Sequence, residues 1–593
     1  VTPTETRYTQ PPAFAPGRIS RSQAILIEVV SIAVSVGVGH LTAGILSPLS
    51  SPFQAVADTV VRLSPAWLTD FGKSLDFPAI GLPKGVADKV LLLVGIGVAL
   101  LVMGLLAGLL AQRSRSAGRA VIIVLGLLGL AAVVFSPVFS PGDVIAPLLA
   151  MLAGLSAYFR LYNLAERTVV VRRAVEPAAG AEPVGAEPGA PDSAEPAAPG
   201  RSDPAAGAEP EQAEAEPPAG PAAPAQRPAE SAEPIELTRR KLLTASAAVG
   251  GGAVVAGVAG QMLGAGAGPD TATREAVKPR LQPATPAPPI PAGADFAQAG
   301  TPTFITSNRD FYRIDTSLRV PVLDAKDYRL RLHGMVDREL SLGYDDLLNR
   351  PLEERVVTLT CVSNPVNGDL ISNAAFVGVS LRDLLLEAGV QPGADQVFGT
   401  SHDGWTCGTP TDVVMEPDRG AMLALAMNGE PLPVEHGYPV RMVVPGLYGF
   451  VSATKWLTDL ELTTFDRRRA YWLDRGWAQR APIKTESRID RPRGLDTVPA
   501  GRFTVAGIAW AQHRGVSRVE VRLDGGPWQT AQLSTEVGRD TWRMWRADLT
   551  VTPGNHFVES RATDGTGAVQ TQTPAEPVPD GASGWPMINF TAR

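Results

Sequence analysis

The sequence predicts a multidomain chain: an N-terminal helical membrane domain, an α+β body and a C-terminal immunoglobulin-like β-sandwich. Three observations predict it. Apolar runs crowd the first third, yet mean hydropathy over the 593 residues is only +0.06, so a membrane part and a soluble part are being averaged. From residue 301 short strands, Gly-containing turns and few long helices follow one another, an α+β pattern. From about 502 to 590 the pattern is all-β, with strands expected at 504–510, 519–523, 542–545 and 556–560 and turns such as Asp524-Gly525-Gly526 between them.

The domain 1–173 carries four apolar runs, at 24–46, 90–111, 121–139 and 144–158. At about 1.5 Å per residue the second is long enough to cross a bilayer core. The third and fourth are interrupted by Pro137 and Pro141 and fit a hairpin of two spans. Core helices of a soluble domain are the alternative, and uninterrupted runs of this length oppose it. Arg18 and Arg21, then Arg113, Arg115 and Arg119, then Arg160, Arg167, Arg172 and Arg173 all fall on one side of a four-span domain. That side is expected to be cytoplasmic, with 47–89 facing outward. His40 is the only histidine here, which argues against a haem held by paired histidines. Glu28 and His40 lie toward the ends of their span, where snorkelling explains them, and so few ionisable groups argue against a transporter.

Residues 174–236 are Ala, Pro, Glu and Gly with almost no large apolar side chain, and read as a disordered acidic linker. Arg239-Arg240-Lys241 then precedes a mildly apolar, Gly-rich segment to 266. This resembles a twin-arginine export signal; the other reading is the basic flank of an ordinary span. Either way 237–266 is expected as a retained fifth span that leaves everything after it outside the cytoplasm. The export reading adds the twin-arginine translocation machinery as a partner. That route carries folded proteins, often around a cofactor, so a cofactor enzyme is expected downstream. Residues 267–300 read as a Pro/Ala-rich stalk.

A net charge of -7 argues against a nucleic-acid partner. Two cysteines exclude a disulfide framework and a cluster held by four thiolates. In the body, 301–499, a helix is expected at 380–388 with Ser380 as N-cap, Asp383 at the capping-box position and Gly389 as stop, and a shorter one at 344–348. The stretch 355–367 is apolar and β-branched up to Thr360, then turns through Ser363, Asn364 and Pro365. Cys361 therefore sits where a rigid strand hands over to a loop, a good place for a reactive atom. Taken alone, it reads sooner as a buried structural thiol, and it is the later motifs that overturn this.

Motifs in matching order resemble those of the sulfite oxidase family of molybdopterin enzymes. They are Phe311-Tyr312-Arg313 followed by Val320-Pro321, Thr358-Leu359-Thr360-Cys361 with Asn364, Met427-Asn428-Gly429 leading to His436-Gly437-Tyr438-Pro439-Val440-Arg441, Val443-Val444-Pro445-Gly446, and Lys455-Trp456-Leu457. The resemblance runs from 301 to the C-terminus, and with the five-span layout the chain resembles membrane-anchored molybdenum proteins of actinobacteria. It implies that Cys361 is the thiolate ligand of molybdenum, a soft donor suited to that metal. It further implies pterin contacts from Phe311, Tyr312, Arg313, His402, His436, Arg441 and Lys455, with backbone contacts from Ala453 and Thr454. An arginine fork suits the pterin's phosphate.

Two departures bear on substrate. Where sulfite oxidases place an arginine pair after the cysteine, this chain has Pro365 and Val366, and 404–410 lacks the tyrosine-containing run of the family. A small dianion loses its anchor, and Trp405 and Phe450 suggest a larger, less charged substrate. A Cys361–Cys407 disulfide would consume the proposed ligand, so Cys407 is expected as a separate thiol. The reading is a membrane-anchored, extracytoplasmic molybdopterin oxidoreductase that transfers an oxygen atom to or from a small or sulfur-containing substrate. With no haem site or flavin motif in the chain, it is expected to work with a separate electron-transfer partner. The alternative is a non-catalytic envelope binding or assembly module that keeps the fold. The sandwich, 500–593, matches the family's dimerisation domain and implies a homodimer; a plain accessory sandwich is the other reading.

Overall fold

The computed structural model describes residues 19–47, 50–64, 84–137, 139–175, 235–265, 271–317 and 320–593. Most of the expected linker, at 176–234, lies outside them. The N-terminal part is built from helices α1 (Arg21–Leu46), α2 (Pro52–Leu63), α3 (Lys84–Ala111), α4 (Arg115–Val134), α5 (Ile145–Val175) and α6 (Ile235–Ala265). Among the described residues, five segments are long and apolar enough to cross a membrane: Arg21–Leu46, Val90–Ala111, Arg115–Val134, Pro141–Arg167 and Arg240–Leu263. Ser20 starts α1 with a capping box, its hydroxyl accepting from the Gln23 N–H while the Gln23 side chain accepts from the Ser20 N–H.

Two expectations are corrected here, and one helix is added. The third apolar run stops being helical at Val134, not 139, because Pro137 follows within a turn. The fourth starts earlier and runs longer, from Pro141. The segment 47–89, expected to face outward, contains α2, a short helix with Pro52 at its first turn and Gln54, Ala55 and Ala57 buried.

α6 is part of the bundle rather than a loose anchor. It packs along α1 so closely that a Cβ on Gly44 would lie 2.4 Å from the Gly260 carbonyl oxygen, and one on Gly260 2.5 Å from that of His40. His40 also bridges the two, its Nε2 lying 3.0 Å from Gln261 Oε1.

The expected stalk is laid on the body. α7 (Thr271–Val277) sends Arg274 to the Pro431 carbonyl, and the Ala284 N–H and Thr285 carbonyl bond the body at Leu352 and Glu354. Leu281 and Ala294 are buried. A Pro-rich strand has free backbone groups, and these have found partners.

The body holds β1 (Arg329–Gly334), β2 (Leu340–Gly343), α8 (Tyr344–Leu348), β3 (Glu353–Thr360), β4 (Ile371–Ser380), α9 (Leu381–Ala388), β5 (Gln396–Ser401), β6 (Thr406–Pro410), α10 (Thr411–Val414), β7 (Met422–Met427), β8 (Glu430–Pro431), β9 (Arg441–Val443) and β10 (Leu457–Thr463). One sheet runs β2-β1-β10-β5-β6 and the other β3-β4-β7-β8, with β9 on β7. α8 and α9 fall where the sequence predicts them, α9 capped by the Ser380 hydroxyl and stopped by a left-handed Gly389.

The C-terminal part is a two-sheet β-sandwich. β11 (Glu486–Arg491), β13 (Gly501–Trp510), β17 (Arg543–Val551) and β16 (Gln532–Leu533) form one sheet; β12 (Thr497–Val498), β19 (Met587–Ala592), β18 (Gly554–Asp564), β14 (Val516–Leu523) and β15 (Gln529–Thr530) form the other. β11 pairs with β13 from Glu486 onward, so the sandwich begins earlier than the expected residue 500. Its own core includes Val505, Val519, Trp545 and Val558. Ile508, Trp510, Trp542 and Met544 instead join Val357 and Leu359 in the core of the body, so the sandwich is welded to the strand that ends at Cys361.

Candidate active site

β3 delivers Cys361 as the first residue beyond its last paired position, Thr360 opposite Ile371. The Cys361 N–H donates to the Leu370 carbonyl at 3.0 Å, and the Cys361 carbonyl accepts from the Asn364 N–H at 3.1 Å. Asn364, 2% exposed, accepts from the Leu370 N–H through Oδ1. The loop is then pinned by the sandwich: the Asn367 side chain accepts from the Ile489 N–H at 2.7 Å, and Arg488 donates to the Gly368 carbonyl. β3 is the outer strand of its sheet, and its free edge is closed by the sandwich as well. The Thr358 N–H donates to the Asp540 carbonyl, and Gln512 donates to the Thr358 carbonyl and the Thr360 hydroxyl.

Around Cys361 stand two phenols. Burial raises the pKa of both Tyr312 and Tyr448, and the nearby Cys361 charge raises them further. Both therefore keep their protons at neutral pH. Tyr312 stacks on Phe311 with ring centres 5.5 Å apart, and its N–H donates to the Ser372 hydroxyl. Tyr448 lies under a sandwich loop, where Gly581, at φ +102°, leaves room that a Cβ would fill 2.5 Å from the phenol oxygen.

Beyond Tyr312 is a buried cationic cluster. Phe311 meets His436 edge to face at 5.4 Å, and His436 Nε2 is 3.0 Å from the Asn308 carbonyl. Arg441 donates to the His436 carbonyl and lies over Phe376. Lys455 pairs with Asp315 at 2.8 Å, and Arg313 reaches the same carboxylate at 2.8 Å. Gly437, at φ +110°, makes this closeness feasible, since a Cβ there would lie 3.1 Å from Arg441 Cβ and Lys455 Cα. Burial pulls Arg441 down to about 10, and pulls Lys455 down to about 8 against the attraction of Asp315. Burial and the Arg441 charge lower His436 to about 4, so it is neutral at pH 7.

Two cations, Arg313 and Lys455, thus share one carboxylate, and no carboxylate pairs with Arg441 among the described residues. Arg441 Nε is buried without a hydrogen-bond partner among the described residues, and the buried Thr454 hydroxyl sits against the Cys407 thiol. An orphaned donor beside surplus buried charge is what an anionic, polar ligand would complete. The residues therefore fit a pterin phosphate, with a thiolate site at Cys361 beyond the Tyr312 phenol.

The structure brings Cys361, Phe311, Tyr312, Arg313, His436, Arg441, Thr454 and Lys455 together. The Ala453 N–H is already used, donating to the Gly449 carbonyl, and the Thr454 carbonyl accepts from the Met442 N–H. Among the described residues, the Ala453 carbonyl and the Thr454 N–H are not used in this turn and stay open for the expected backbone contacts. His402 lines a cavity facing α2, and its N–H, donating to the Trp456 carbonyl at 2.8 Å, ties it to the neighbour of Lys455. No disulfide joins Cys361 and Cys407. Cys407 is fully buried 3.6 Å from the Thr409 hydroxyl, under Ala453 and Thr454, and burial raises it to about 11.

Sequence reasoning did not find Tyr448, Gln512 or Asp315. Tyr448 follows directly on the Val443–Gly446 motif and was within reach of it. Gln512 has no local signal, being 152 residues from its partner Thr360.

Comparison with known proteins follows this geometry. The family model "Oxidoreductase molybdopterin binding domain" matches residues 317–472, which include Cys361, His402, His436, Arg441, Tyr448, Thr454 and Lys455 but neither the site residues before 317 nor Gln512. Sulfite oxidase of Gallus gallus is 32% identical over 320 residues, covering 46% of this chain and 69% of its own length. Mitochondrial sulfite oxidase of Macaca fascicularis is 34% identical over 300 residues, covering 43% of this chain and 54% of its own. The chain thus spans about half the length of the primate relatives it matches. Among solved structures, the sulfane dehydrogenase SoxCD of Paracoccus pantotrophus aligns at 25% identity with a TM-score of 0.43, over 49% of this chain and 84% of that one.

Proposed function

Because the chain belongs to the sulfite oxidase family, and is by that membership a molybdopterin-dependent oxidoreductase, we propose that it is a membrane-anchored member that transfers oxygen atoms outside the cytoplasm. The observation that carries the reading is Cys361 at the end of a doubly clamped strand, beside a buried cation cluster with an unfilled donor. Cys361 would hold molybdenum through its thiolate. Arg441, Lys455, His436 and Thr454 would hold the polar end of the pterin. When bound, the cofactor supplies a two-electron redox centre able to exchange an oxygen atom with substrate. The chain's part is to position it, to exclude water, and to keep protons on the Tyr312 and Tyr448 oxygens beside it.

Two arginines that would hold a small dianion are replaced by Pro365 and Val366, and Val366 faces the sandwich loop at Gly584. A neutral sulfur-containing substrate therefore suits this site better than sulfite, which the relatives' names specify. The sandwich is read as immunoglobulin-like and as the contact for a homodimer.

Membrane anchoring is supported by side chains left bare on the helices, among them Val94, Val98, Leu101 and Leu106, each 49–56% exposed. With five spans, α2 and the turn at 136–137 share one face with the body, and the basic residues Arg113, Arg115 and Arg119 lie on the other, which the positive-inside rule makes cytoplasmic. Arg239 and Arg240 read as the twin-arginine signal of a helix that is kept.

The test is molybdenum and pterin content of the full chain purified from membranes, with protease added to intact spheroplasts. About one molybdenum per chain and a body digested from outside support the reading. A folded, exported body carrying neither metal nor pterin contradicts it.

A further inference from the structure

At the seam between α2 and the body lies a cavity of about 270 Å³, close to the ~300 Å³ lower end of small-molecule sites. Its charged lining balances: Arg62, Arg469 and Arg475 against Asp58, Asp403 and Asp474. Such a lining has no surplus charge to recruit an anion and too many polar groups for an acyl chain. It offers aromatic walls at Trp405 and Tyr471, with the Arg475 guanidinium 3.6 Å from the Tyr471 ring centre. Arg475 donates to the Arg62 carbonyl, which holds α2 to the body, yet its buried Nε has no hydrogen-bond partner among the described residues. A neutral planar ring carrying hydrogen-bond acceptors fits this chemistry.

The position of the cavity narrows the ligand. On the helix side the chain neighbours of its lining residues Arg62 and Ser136, namely Leu63 and Phe135, are 79% and 81% exposed on segments flanking the apolar helices. On the body side, His402 is bonded through its N–H to the Trp456 carbonyl, next to Lys455 of the cationic cluster. The cavity thus lies between a lipid-level apolar surface and the pterin-binding residues.

We propose that this cavity receives the ring of a membrane quinone, with its apolar tail over Leu63 and Phe135. The quinone takes up two electrons from the reduced cofactor and two protons from solvent and leaves as quinol; the reverse exchange supplies electrons for a reduction. This assignment of the electron partner rests on the molybdopterin reading above.

The experiment uses the full chain in lipid nanodiscs, irradiated with a short-chain azidoquinone and mapped by peptide mass spectrometry. Molybdenum and pterin are measured on the same sample. Label is expected on peptides carrying Arg62, Trp405 and Tyr471, displaced by excess unmodified quinone. It should fall about ten-fold in Trp405→Ala and, independently of the body's folding, in Arg62→Ala, a loss equivalent to ~1.4 kcal/mol of binding. Displaceable label on protein lacking the cofactor leaves this site standing and removes the proposed function. Cofactor-loaded protein labelled only on the lipid-facing helices, or labelled equally in both variants, overturns the site.

Discussion

Gln512 Nε2 donates to the Thr360 hydroxyl at 3.1 Å, and so a residue of the sandwich fixes the last rung of the strand that presents Cys361. The same amide reaches the Thr358 carbonyl at 3.2 Å, and Gln512 is fully buried. The cysteine is therefore positioned by two domains at once. Gln512→Leu keeps the volume and strands these two acceptors. The expected result is a body less stable by ~1–3 kcal/mol in chemical unfolding, with a lower molybdenum content per folded chain. Unchanged stability and full loading would remove the sandwich from the positioning role.

Glu486, at the start of β11, is 4% exposed and burial raises its carboxyl to about 8. Unfolded, it ionises near its ordinary value of 4.5. Between those values the folded state holds a proton that the unfolded state has released, so stability falls as pH rises through the window. The contribution is whole below 4.5 and gone above about 8. Denaturation of the protein at pH 5 and at pH 8 should show the decline, and Glu486→Gln should flatten it. An equal slope in the variant assigns the decline elsewhere.

The Gly44–Gly260 contact predicts that α6 stays in the mature protein as a structural member of the bundle. Gly260→Leu drives a side chain into the backbone of α1 and should lower the temperature at which the helical domain loses structure in detergent, while the body's own unfolding is unchanged. Intact mass of the wild-type protein should include α6. A wild-type chain beginning after 265 would contradict this.

Much of this architecture was legible because it is written locally. The β-branched run from Val356 to Thr360 followed by Asn and Pro marks the strand end to the residue, and Ser380 and Gly389 mark both ends of α9. Length and hydropathy find the apolar helices, except where Pro137 ends one early. What stayed hidden is non-local or short. α2 is too short for a hydropathy scan to find; Ala55 packs on Ala132 and Val133 of α4, and the Arg62 carbonyl accepts from Arg475 of the body, hundreds of residues later. Gln512, Asp540 and Trp542 act on β3 across a domain boundary. Sequence likewise cannot show that the Ala453 N–H and the Thr454 carbonyl are bonded to Gly449 and Met442, leaving only the Ala453 carbonyl and the Thr454 N–H of this pair open among the described residues.

The most direct test of the account is X-ray absorption at the molybdenum edge, on the purified full chain and on Cys361→Ser. The account predicts a protein thiolate in the wild-type sulfur shell, added to the sulfurs of the pterin, and its loss in the variant with the cationic cluster still retaining pterin. Molybdenum with the same sulfur count in both proteins would contradict the placement of the metal at Cys361.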